Sequence, residues 1–404
     1  MRVFEFISVL LAILLMGCAA PAPVEKPDFV VKTAWDQAEM MWARTAADIS
    51  GNGINDIVVS NGNAFGGWIG WFETAADLSE WTLHIICDSA TIGGTIAGGD
   101  IATGDFNNNG KTDIVAFVHP GEWENSNAPT TVYWLENPCW TPHYVGEVPA
   151  FAKDVEVADF NNDGRYEIAV ITFDRNSLQV FKQGEEGWYE VLSMVVPNLH
   201  EGMATGDIDG DGYIDIATNG YWLRSPGGDL TGEWELYNID PKWNNQEGDW
   251  QRNATKVFCA DIDNDGRAEV FISHSESRGY PVSYYKLIDL GSNTWEEIVI
   301  DTIDGCHTLQ VFDFNGNGYK DILAGQNSMR WDDDVAPVNL YLNSGDNLTF
   351  TKVTLTGEGC YNCIAADLAG NGFYDIIRTA GHGSEVLEIW INLTLSRSGS
   401  GRIH

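Results

Sequence analysis

The sequence predicts an all-β fold, a seven-bladed β-propeller of four-stranded blades whose last blade is closed by the N-terminal strand. One acidic loop recurs seven times at intervals of 48 to 57 residues, and such a period suits one four-stranded blade. The segments beside each loop alternate between apolar and polar residues, as in Val155-Glu156-Val157-Ala158, which is the pattern of a β-strand. Closing the ring protects the edges of the sheets.

The repeated loop has the pattern Asp-x-(Asp/Asn/Ser/Ala)-x-(Asp/Asn)-Gly-x-x-(Asp/Glu). Calcium prefers about six to eight oxygen ligands, and the side chains at positions 1, 3, 5 and 9 of a tight turn can converge on one ion. The Gly at position 6 is present in all seven copies and permits the sharp turn. The sequence therefore predicts up to seven calcium ions. The predicted ligands are Asp48, Asn52, Asp56, Asp105, Asn107, Asn109, Asp113, Asp159, Asn161, Asp163, Glu167, Asp207, Asp209, Asp211, Asp215, Asp261, Asp263, Asp265, Glu269, Asp313, Asn315, Asn317, Asp321, Asp367, Asn371 and Asp375.

These loops should differ in calcium affinity. The loops that begin at Asp207 and Asp261 each carry four carboxylates, so we expect them to bind most tightly. The Asp367 loop has Ala369 at position 3 and is expected to be weakest, and the Asp48 loop is also poor in carboxylates. An EF-hand is excluded because no loop has Glu at position 12 and the flanks are strands.

The loops resemble the VCBS or FG-GAP type of repeat. The resemblance covers residues 28 to about 393 and implies a calcium-binding propeller. It does not fix an activity, since that family includes integrin α-chain propellers, bacterial surface proteins, some lectins, polysaccharide lyases and sugar dehydratases. The Phe-Gly dipeptide occurs in a matching place only at Phe65-Gly66, so the VCBS description fits better.

The two ends of the chain define its organisation. Residues 1–17 predict a signal peptide, and Leu15-Met16-Gly17-Cys18 resembles a lipobox, so Cys18 is the predicted lipidation site. Ordinary cleavage without a lipid is the alternative. Residues 18–27 form a tether, residues 28–393 the propeller and residues 394–404 a flexible tail. The last repeat lacks a fourth strand, and residues 28–34 are predicted to supply it.

Composition narrows the possible partners. Asp and Glu number 59 against 22 Lys and Arg, and a net charge of −37 argues against binding nucleic acid or an anionic membrane surface. Six cysteines remain beyond Cys18, which permits either disulfides or buried thiols. Cys360 and Cys363 form a single CxxC, which is a weak signal for zinc.

The segments that enter the first strand and leave the second lie on the face opposite the calcium loops. Five of the eight histidines fall there, with arginines and aromatic residues in the same loops. If this face acts on a substrate, the candidate catalytic residues are His200, Tyr221, His274, Arg278 and His307. The candidate substrate-binding residues are Trp222, Trp243, Trp250, Arg252, Tyr280, Gln326, Trp331 and His382. For each aromatic residue alone, packing at a blade edge is the competing interpretation.

Three functions fit these residues. An exported, cell-surface propeller can recognise a polysaccharide or glycoconjugate on this face, because aromatic faces stack on sugars and charged groups bind hydroxyls. The same residues can serve a polysaccharide lyase or sugar dehydratase. A non-catalytic adhesion scaffold needs no such cluster. We expect a monomer that contacts the membrane only through its lipid and binds no nucleic acid.

Overall fold

The computed structural model describes residues 25–62, 66–121, 125–248, 251–328, 331, 334–345 and 349–394. They form seven antiparallel sheets arranged as blades. Blades one and two comprise β2 (Arg44–Ala47), β3 (Asp56–Asn61), β4 (Trp68–Thr74) and β5 (Trp81–Asp88), then β6 (Thr95–Ile96), β7 (Thr103–Gly104), β8 (Asp113–His119), β9 (Thr130–Glu136) and β10 (Thr141–Val148). Blades three and four comprise β11 (Ala152–Ala158), β12 (Glu167–Thr172), β13 (Ser177–Gly184) and β14 (Gly187–Val195), then β15 (Met203–Gly206), β16 (Asp215–Thr218), β17 (Tyr221–Arg224) and β18 (Glu235–Asn238).

Blades five and six comprise β19 (Thr255–Ala260), β20 (Glu269–His274), β21 (Pro281–Asp289) and β22 (Thr294–Thr302), then β23 (Cys306–Phe312), β24 (Asp321–Gln326), β25 (Val338–Asn343) and β26 (Phe350–Thr356). Blade seven comprises β27 (Ile364–Ala366), β28 (Asp375–Arg378), β29 (Leu387–Asn392) and the N-terminal β1 (Phe29–Trp35). Among the described residues the helical segments are α1 (Ser89–Ile92) and a 3-10 turn (Pro241–Trp243). The innermost strand of blade two is split into β6 and β7, which both pair with β8.

The N-terminal strand closes the ring, as the sequence predicts. β1 pairs antiparallel with β29 from Phe29↔Asn392 to Trp35↔Leu387. The Leu393 amide extends this pairing by donating to the Asp28 carbonyl oxygen at 2.8 Å. First and last strands therefore share one sheet, and separating the ends of the chain requires breaking it.

The core lies between neighbouring blades, because both faces of each second strand are buried. In β3, Ile57 and Val59 pack against blade seven, whereas Val58 faces blade two. In blade four, Ile216 packs towards blade three and Ala217 towards blade five. Alternation thus directs successive side chains into two different apolar layers.

The seven loops that are predicted to bind calcium repeat the same backbone turn. The Gly at position 6 has φ between 80° and 91° in all seven loops, and position 4 is Gly or Asn with φ between 54° and 77°. Only residues that tolerate the left-handed region suit these two places. Neighbouring loops are also joined, since the Asn162 side-chain amide donates to the Gly212 carbonyl at 2.7 Å and that of Asn55 donates to the Asp367 carbonyl at 2.9 Å.

Within the described part of the chain, no helix combines the length and the apolar character needed to cross a membrane. The predicted signal peptide, Cys18, most of the tether and the tail from residue 395 lie outside the described residues.

Closure by β1 should contribute strongly to stability. Trp35 packs edge-on against Trp68 at a centroid distance of 5.7 Å and contacts Phe72 at 5.5 Å. We expect Trp35→Ala to lower the free energy of unfolding by about 2–4 kcal/mol, because it leaves a cavity beside the closing strand. Val31→Ala is the matched control, since Val31 lies on the same strand with its side chain exposed. Urea denaturation of both variants would test this, and equal losses would contradict a special role for Trp35.

Candidate functional site

The seven calcium loops share two hydrogen bonds that preorganise their carboxylates. In every loop the Asp at position 1 accepts the amide of the Gly at position 6, at 2.7–3.0 Å. In every loop the acid at position 9 accepts the amide of position 2, at 2.9–3.2 Å. Each position-9 acid is at most 2% exposed. The loop shape is therefore fixed by the same oxygens that face the predicted ion.

The residues present fit a hard cation. Carboxylate oxygens of Asp207, Asp209 and Asp215 lie within 4.8 Å of one another, and those of Asp261, Asp263 and Asp265 do the same. Burial raises the pKa of the position-9 acids, for example to about 7 for Asp215, Glu269 and Asp321 and to about 6 for Asp113 and Asp375. A bound divalent ion would offset this cost of holding buried negative charge.

The opposite face holds a cavity of about 250 Å³ on the propeller axis. Residues of the innermost strands, or of the segments that enter them, line it from all seven blades. They include Arg44, Asp100, Asp154, Glu156, Lys256 and His307. Successive side chains of a strand point to opposite sides. The apolar side chains of these first strands pack between blades, so the charged side chains lie on the sides that face the axis.

Two buried ion pairs stand beside the cavity. Lys153 Nζ lies 2.7 Å from Glu201 Oε2, and the Ser275 hydroxyl donates a short hydrogen bond to the other Glu201 oxygen. His307 Nε2 lies 3.2 Å from Glu276 Oε1, and its Nδ1 lies 2.8 Å from Asn362 Oδ1. Both nitrogens of His307 thus lie within hydrogen-bonding distance of side-chain oxygens. One oxygen of Glu201, one of Glu276 and a nitrogen of His307 lie within 4.8 Å of one another.

Arg44 is the buried cation of this cavity with unused hydrogen-bonding capacity. Its side chain is 3% exposed, and Nη2 donates to the Met41 carbonyl at 2.7 Å and to Thr379 Oγ1 at 2.9 Å. Among the described residues, Nε and Nη1 have no hydrogen-bond partner. Burial lowers the pKa of Arg44 to about 10, so the group stays charged at neutral pH. Uncompensated buried donors of this kind are costly unless a ligand satisfies them.

The carboxylates of the cavity repel one another. Burial and the charge of Asp154 raise the pKa of Asp100 to about 7, and burial with the charges of Asp100 and Asp154 raises the pKa of Glu156 well above its usual value. Glu201 behaves oppositely: Lys153 and Lys256 outweigh burial and hold its pKa well below the usual value. The cavity therefore mixes ionised and protonated acids near neutral pH.

Three predicted histidines approach this centre. His307 packs at a tilt against Tyr361 with a centroid distance of 4.3 Å, and His382 contacts both Tyr361 at 5.5 Å and Trp42 at 5.1 Å. His200 is buried against Phe173 at 4.2 Å, and its charge acts on Glu201. Burial lowers the pKa of His382. His307 and His382 therefore share Tyr361 as a neighbour, and the predicted roles of all three histidines stay predictions.

His274 belongs to a separate structural cluster. Its Nδ1 accepts the amides of Glu276 and Ser277 at 3.2 and 3.1 Å, and its Nε2 lies 2.9 Å from Gln246 Oε1. Tyr280 packs on its ring at 4.4 Å. Because Nδ1 accepts two backbone amides and Nε2 faces a carbonyl oxygen, the ring stabilises this turn, and its predicted catalytic role stays a prediction.

Two predicted sugar-stacking tryptophans lie inside the core, so their predicted contact with a ligand is wrong. Trp222 and Trp243 are both fully buried between blades four and five. The Trp222 indole donates to Asn293 Oδ1 at 3.2 Å, and the Trp243 indole donates to Tyr285 Oη at 2.8 Å. Trp222 lies on the third strand of blade four and Trp243 in the 3-10 turn after the fourth strand, and both are enclosed by the neighbouring blade.

The remaining candidates lie away from the cavity lining or outside the described residues. Tyr221 packs at the blade three–four interface, and Arg278 stacks on Trp331 at 4.6 Å. Gln326 is buried at the end of β24, and Arg252 is half-buried after the insertion. Trp250 lies outside the described residues.

Sequence reasoning missed the charged residues that face the axis. Arg44, Lys153, Asp154, Glu156 and Lys256 all lie on first strands, next to apolar residues. A charge inside an otherwise buried strand was the available signal, because such residues need a partner. Their convergence depends on closing the ring, which no local pattern shows.

Cys360 and Cys363 form a disulfide, at the start of blade seven beside the cavity. Cys87, Cys139, Cys259 and Cys306 are free thiols. The CxxC pair therefore does not bind zinc in this form.

Comparison with known proteins identifies the repeats. A profile of the FG-GAP-like repeat matches residues 159–218, 261–324 and 313–377. These segments of the chain match the FG-GAP-like repeat. The matched segments contain the acidic loops of blades three to seven.

Curated relatives and a solved structure are similar to this chain. The chain is 23% identical over 251 residues to the human T-cell immunomodulatory protein and 24% identical over 246 residues to cartilage acidic protein 1 of Xenopus tropicalis. The matches cover 55% and 56% of this chain but only 40% and 37% of those relatives. The crystal structure of BBS1N in complex with ARL6DN, soaked with lead, superposes with a TM-score of 0.57 at 11% identity, over 90% of this chain and 96% of that one. This last likeness shows the fold alone.

The raised pKa of Asp100 gives a pH-dependent stability. Its folded pKa of about 7 exceeds the ordinary value of 3.8, so the folded state keeps a proton that the unfolded state releases between those values. Stability should therefore fall as pH rises through this window. Asp100→Asn keeps an oxygen for the Ile101 amide, which donates to Asp100 at 2.8 Å. We expect the variant to be more stable than the wild type by roughly 1–2 kcal/mol at pH 8 and nearly equal at pH 4. Urea unfolding at both values would test this, and parallel pH profiles would contradict it.

Proposed function

We propose that the protein is an exported, calcium-stabilised propeller that binds an acidic carbohydrate in the axial cavity opposite the calcium loops. The observation that carries the proposal is Arg44, whose buried guanidinium lines the cavity with Nε and Nη1 unpaired among the described residues. A guanidinium binds a carboxylate through parallel hydrogen bonds. The carboxylate of a uronic acid would therefore supply hydrogen-bond acceptors for Nε and Nη1 of Arg44.

The rest of the cavity suits the hydroxyls of a sugar. Each hydroxyl both donates and accepts, and the lining supplies donors at Lys256 and Asn362 beside acceptors at Asp154 and Gln310. Trp42 adds an aromatic ring to the wall. Mixed lining of this kind favours a polyol over an apolar ligand or a simple anion.

Calcium is proposed at the repeated loops. The acids at positions 1 and 9, which recur in seven turns of one backbone shape, and the burial of the position-9 acids support this assignment. The bound ions would neutralise part of the negative charge on that face and hold the turns between first and second strands. The chain's own residues position the oxygens, through the amides of positions 2 and 6.

Chelation of calcium should lower stability. Binding to the folded state alone contributes about 2.7 kcal/mol per site at a hundredfold excess over the dissociation constant. We expect EGTA to lower the melting temperature by several degrees, and added calcium, but not magnesium, to restore it. Circular dichroism melts would measure the change, and identical melts in EGTA and in calcium would refute calcium as a structural element.

The carbohydrate proposal predicts a preference for acidic glycans that depends on Arg44. Calorimetric titration with oligogalacturonate should show binding, and a neutral gluco-oligosaccharide of equal length should bind at least tenfold more weakly. Arg44→Met should weaken oligogalacturonate binding by about 10- to 100-fold, because it removes a charge-assisted pair. Arg165→Met is the control, since Arg165 is an exposed arginine in an acidic loop, on the face away from the cavity.

Arg44→Lys keeps the positive charge, so it distinguishes loss of the charge from loss of the fold. We expect this variant to fold and to retain part of the preference for the acidic glycan. Unchanged binding by a folded Arg44→Met protein would contradict the site. Failure of the wild type to bind either glycan would favour the adhesion scaffold.

A polysaccharide lyase or sugar dehydratase is the second candidate. His307 and Glu276 stand next to the Arg44 cavity, and such groups can move a proton and stabilise negative charge during β-elimination. Ultraviolet absorbance of unsaturated products during the same titration would favour this candidate over simple binding. Export and lipidation of Cys18 also stay proposals, and the mass of the mature N-terminal peptide would test them.

A further inference from the structure

One residue of each third strand lies beside the acid at position 9 of the calcium loop. The second and third strands pair through Ile168↔Phe181, Ile216↔Leu223 and Val270↔Tyr285 in blades three, four and five. The next residue of the third strand therefore reaches the loop. Around the ring this residue is Glu73, Glu136, Lys182, Arg224, Lys286, Leu342 and Ile391.

In blades three to five this residue is a cation inserted among the loop carboxylates. Lys182 Nζ lies 2.7 Å from Asp163 Oδ2 and 2.9 Å from Glu167 Oε1, which are positions 5 and 9. Its side chain is only 16% exposed. The ammonium thus contacts oxygens that were predicted to bind calcium.

The neighbouring blades repeat this arrangement. Arg224 Nε lies 2.5 Å from Asp209 Oδ2, and its Nη2 lies 3.5 Å from Asp211 Oδ2. Lys286 pairs with Asp263, with Asp265 at 2.8 Å and with Glu269 at 3.6 Å. Three independent loops therefore use the same register position for an internal positive charge.

The charge of this third-strand residue correlates with the number of carboxylates in the loop beside it. Blades three to five have three or four carboxylates at positions 1, 3, 5 and 9, and they carry Lys or Arg. Blades one and two have two, and they carry Glu73 and Glu136 instead. Glu136 Oε1 accepts from Asn107 Nδ2 at 3.0 Å, so it reaches position 3 of its loop. Blades six and seven have two loop carboxylates and an apolar residue there.

We propose that the third-strand cation replaces calcium in blades three, four and five, so that calcium binding is confined to blades one, two, six and seven. A divalent ion entering the first group would meet a fixed positive charge already paired with its ligands. In blades one and two the third-strand Glu would instead add to the negative charge that attracts the ion. This order reverses the one expected from loop carboxylates alone. The inference rests on the proposed calcium loading.

The test is the number of calcium ions bound per chain. Protein stripped with EGTA would be equilibrated with calcium and desalted, and the metal would be measured by atomic emission. We expect about four ions in the wild type and about five in Lys182→Met, because blade three then becomes accessible to calcium. Lys352→Met is the matched control: Lys352 pairs with Asp301 at 2.6 Å outside the calcium loops, and its loss should leave the count at about four.

A second readout does not depend on stoichiometry. In EGTA, Lys182→Met should melt at a lower temperature than the wild type, because its loop has lost its cation, and calcium should remove most of that difference. A Lys182→Met count equal to the wild-type count, with no calcium-dependent recovery, would overturn the inference while leaving a calcium-stabilised propeller intact. A wild type that binds no calcium would instead refute calcium loading itself.

Discussion

The structure depends above all on the buried acid at position 9 of each loop. One of its oxygens accepts the amide of position 2, which follows the first strand. In five blades the other oxygen accepts an amide at the end of the third strand, as Asp215 does from Ser225 at 2.8 Å. One carboxylate thus joins three strands of a blade. Since it does so with at most 2% exposure, it must be balanced by hydrogen bonds and by a nearby positive charge.

The need to compensate the buried acid at position 9 explains why the sequence predicts the fold well. The acid, the Gly at position 6 and the apolar alternation recur together because each blade must satisfy the same buried group and the same turn. Spacing then gives the number of blades, and the missing last strand identifies β1 as its replacement. Lys182, Arg224 and Lys286 escaped notice because their distance from the loop varies along the chain, whereas their register across the sheet does not.

The candidate site was less predictable, for a related reason. Third-strand aromatics such as Trp222 lie between two blades, so alternation does not separate a ligand-facing ring from a core ring. First-strand charges were more informative than aromatics, because burial of Arg44 or Lys153 is unfavourable without a partner. Glu201 supplies that partner for Lys153 from the next blade along the ring. Only closure of the ring brings such residues together, and closure is a property of all seven repeats at once.

The two faces of the propeller therefore differ in the charge that needs a partner, which is negative in the loops and positive at the guanidinium of the axial cavity. The loop face concentrates carboxylates that repel one another. In blades three to five they are paired with cations of the chain itself, and calcium is proposed for the other blades. The axial cavity contains a guanidinium that is 3% exposed, with two nitrogens unpaired among the described residues. Because the first strands connect the two faces directly, order imposed on the loops is transmitted to the residues that surround Arg44. Under the proposed calcium loading, order in the loops would extend along these strands to the cavity, which would reduce the conformational cost of binding the proposed acidic ligand there.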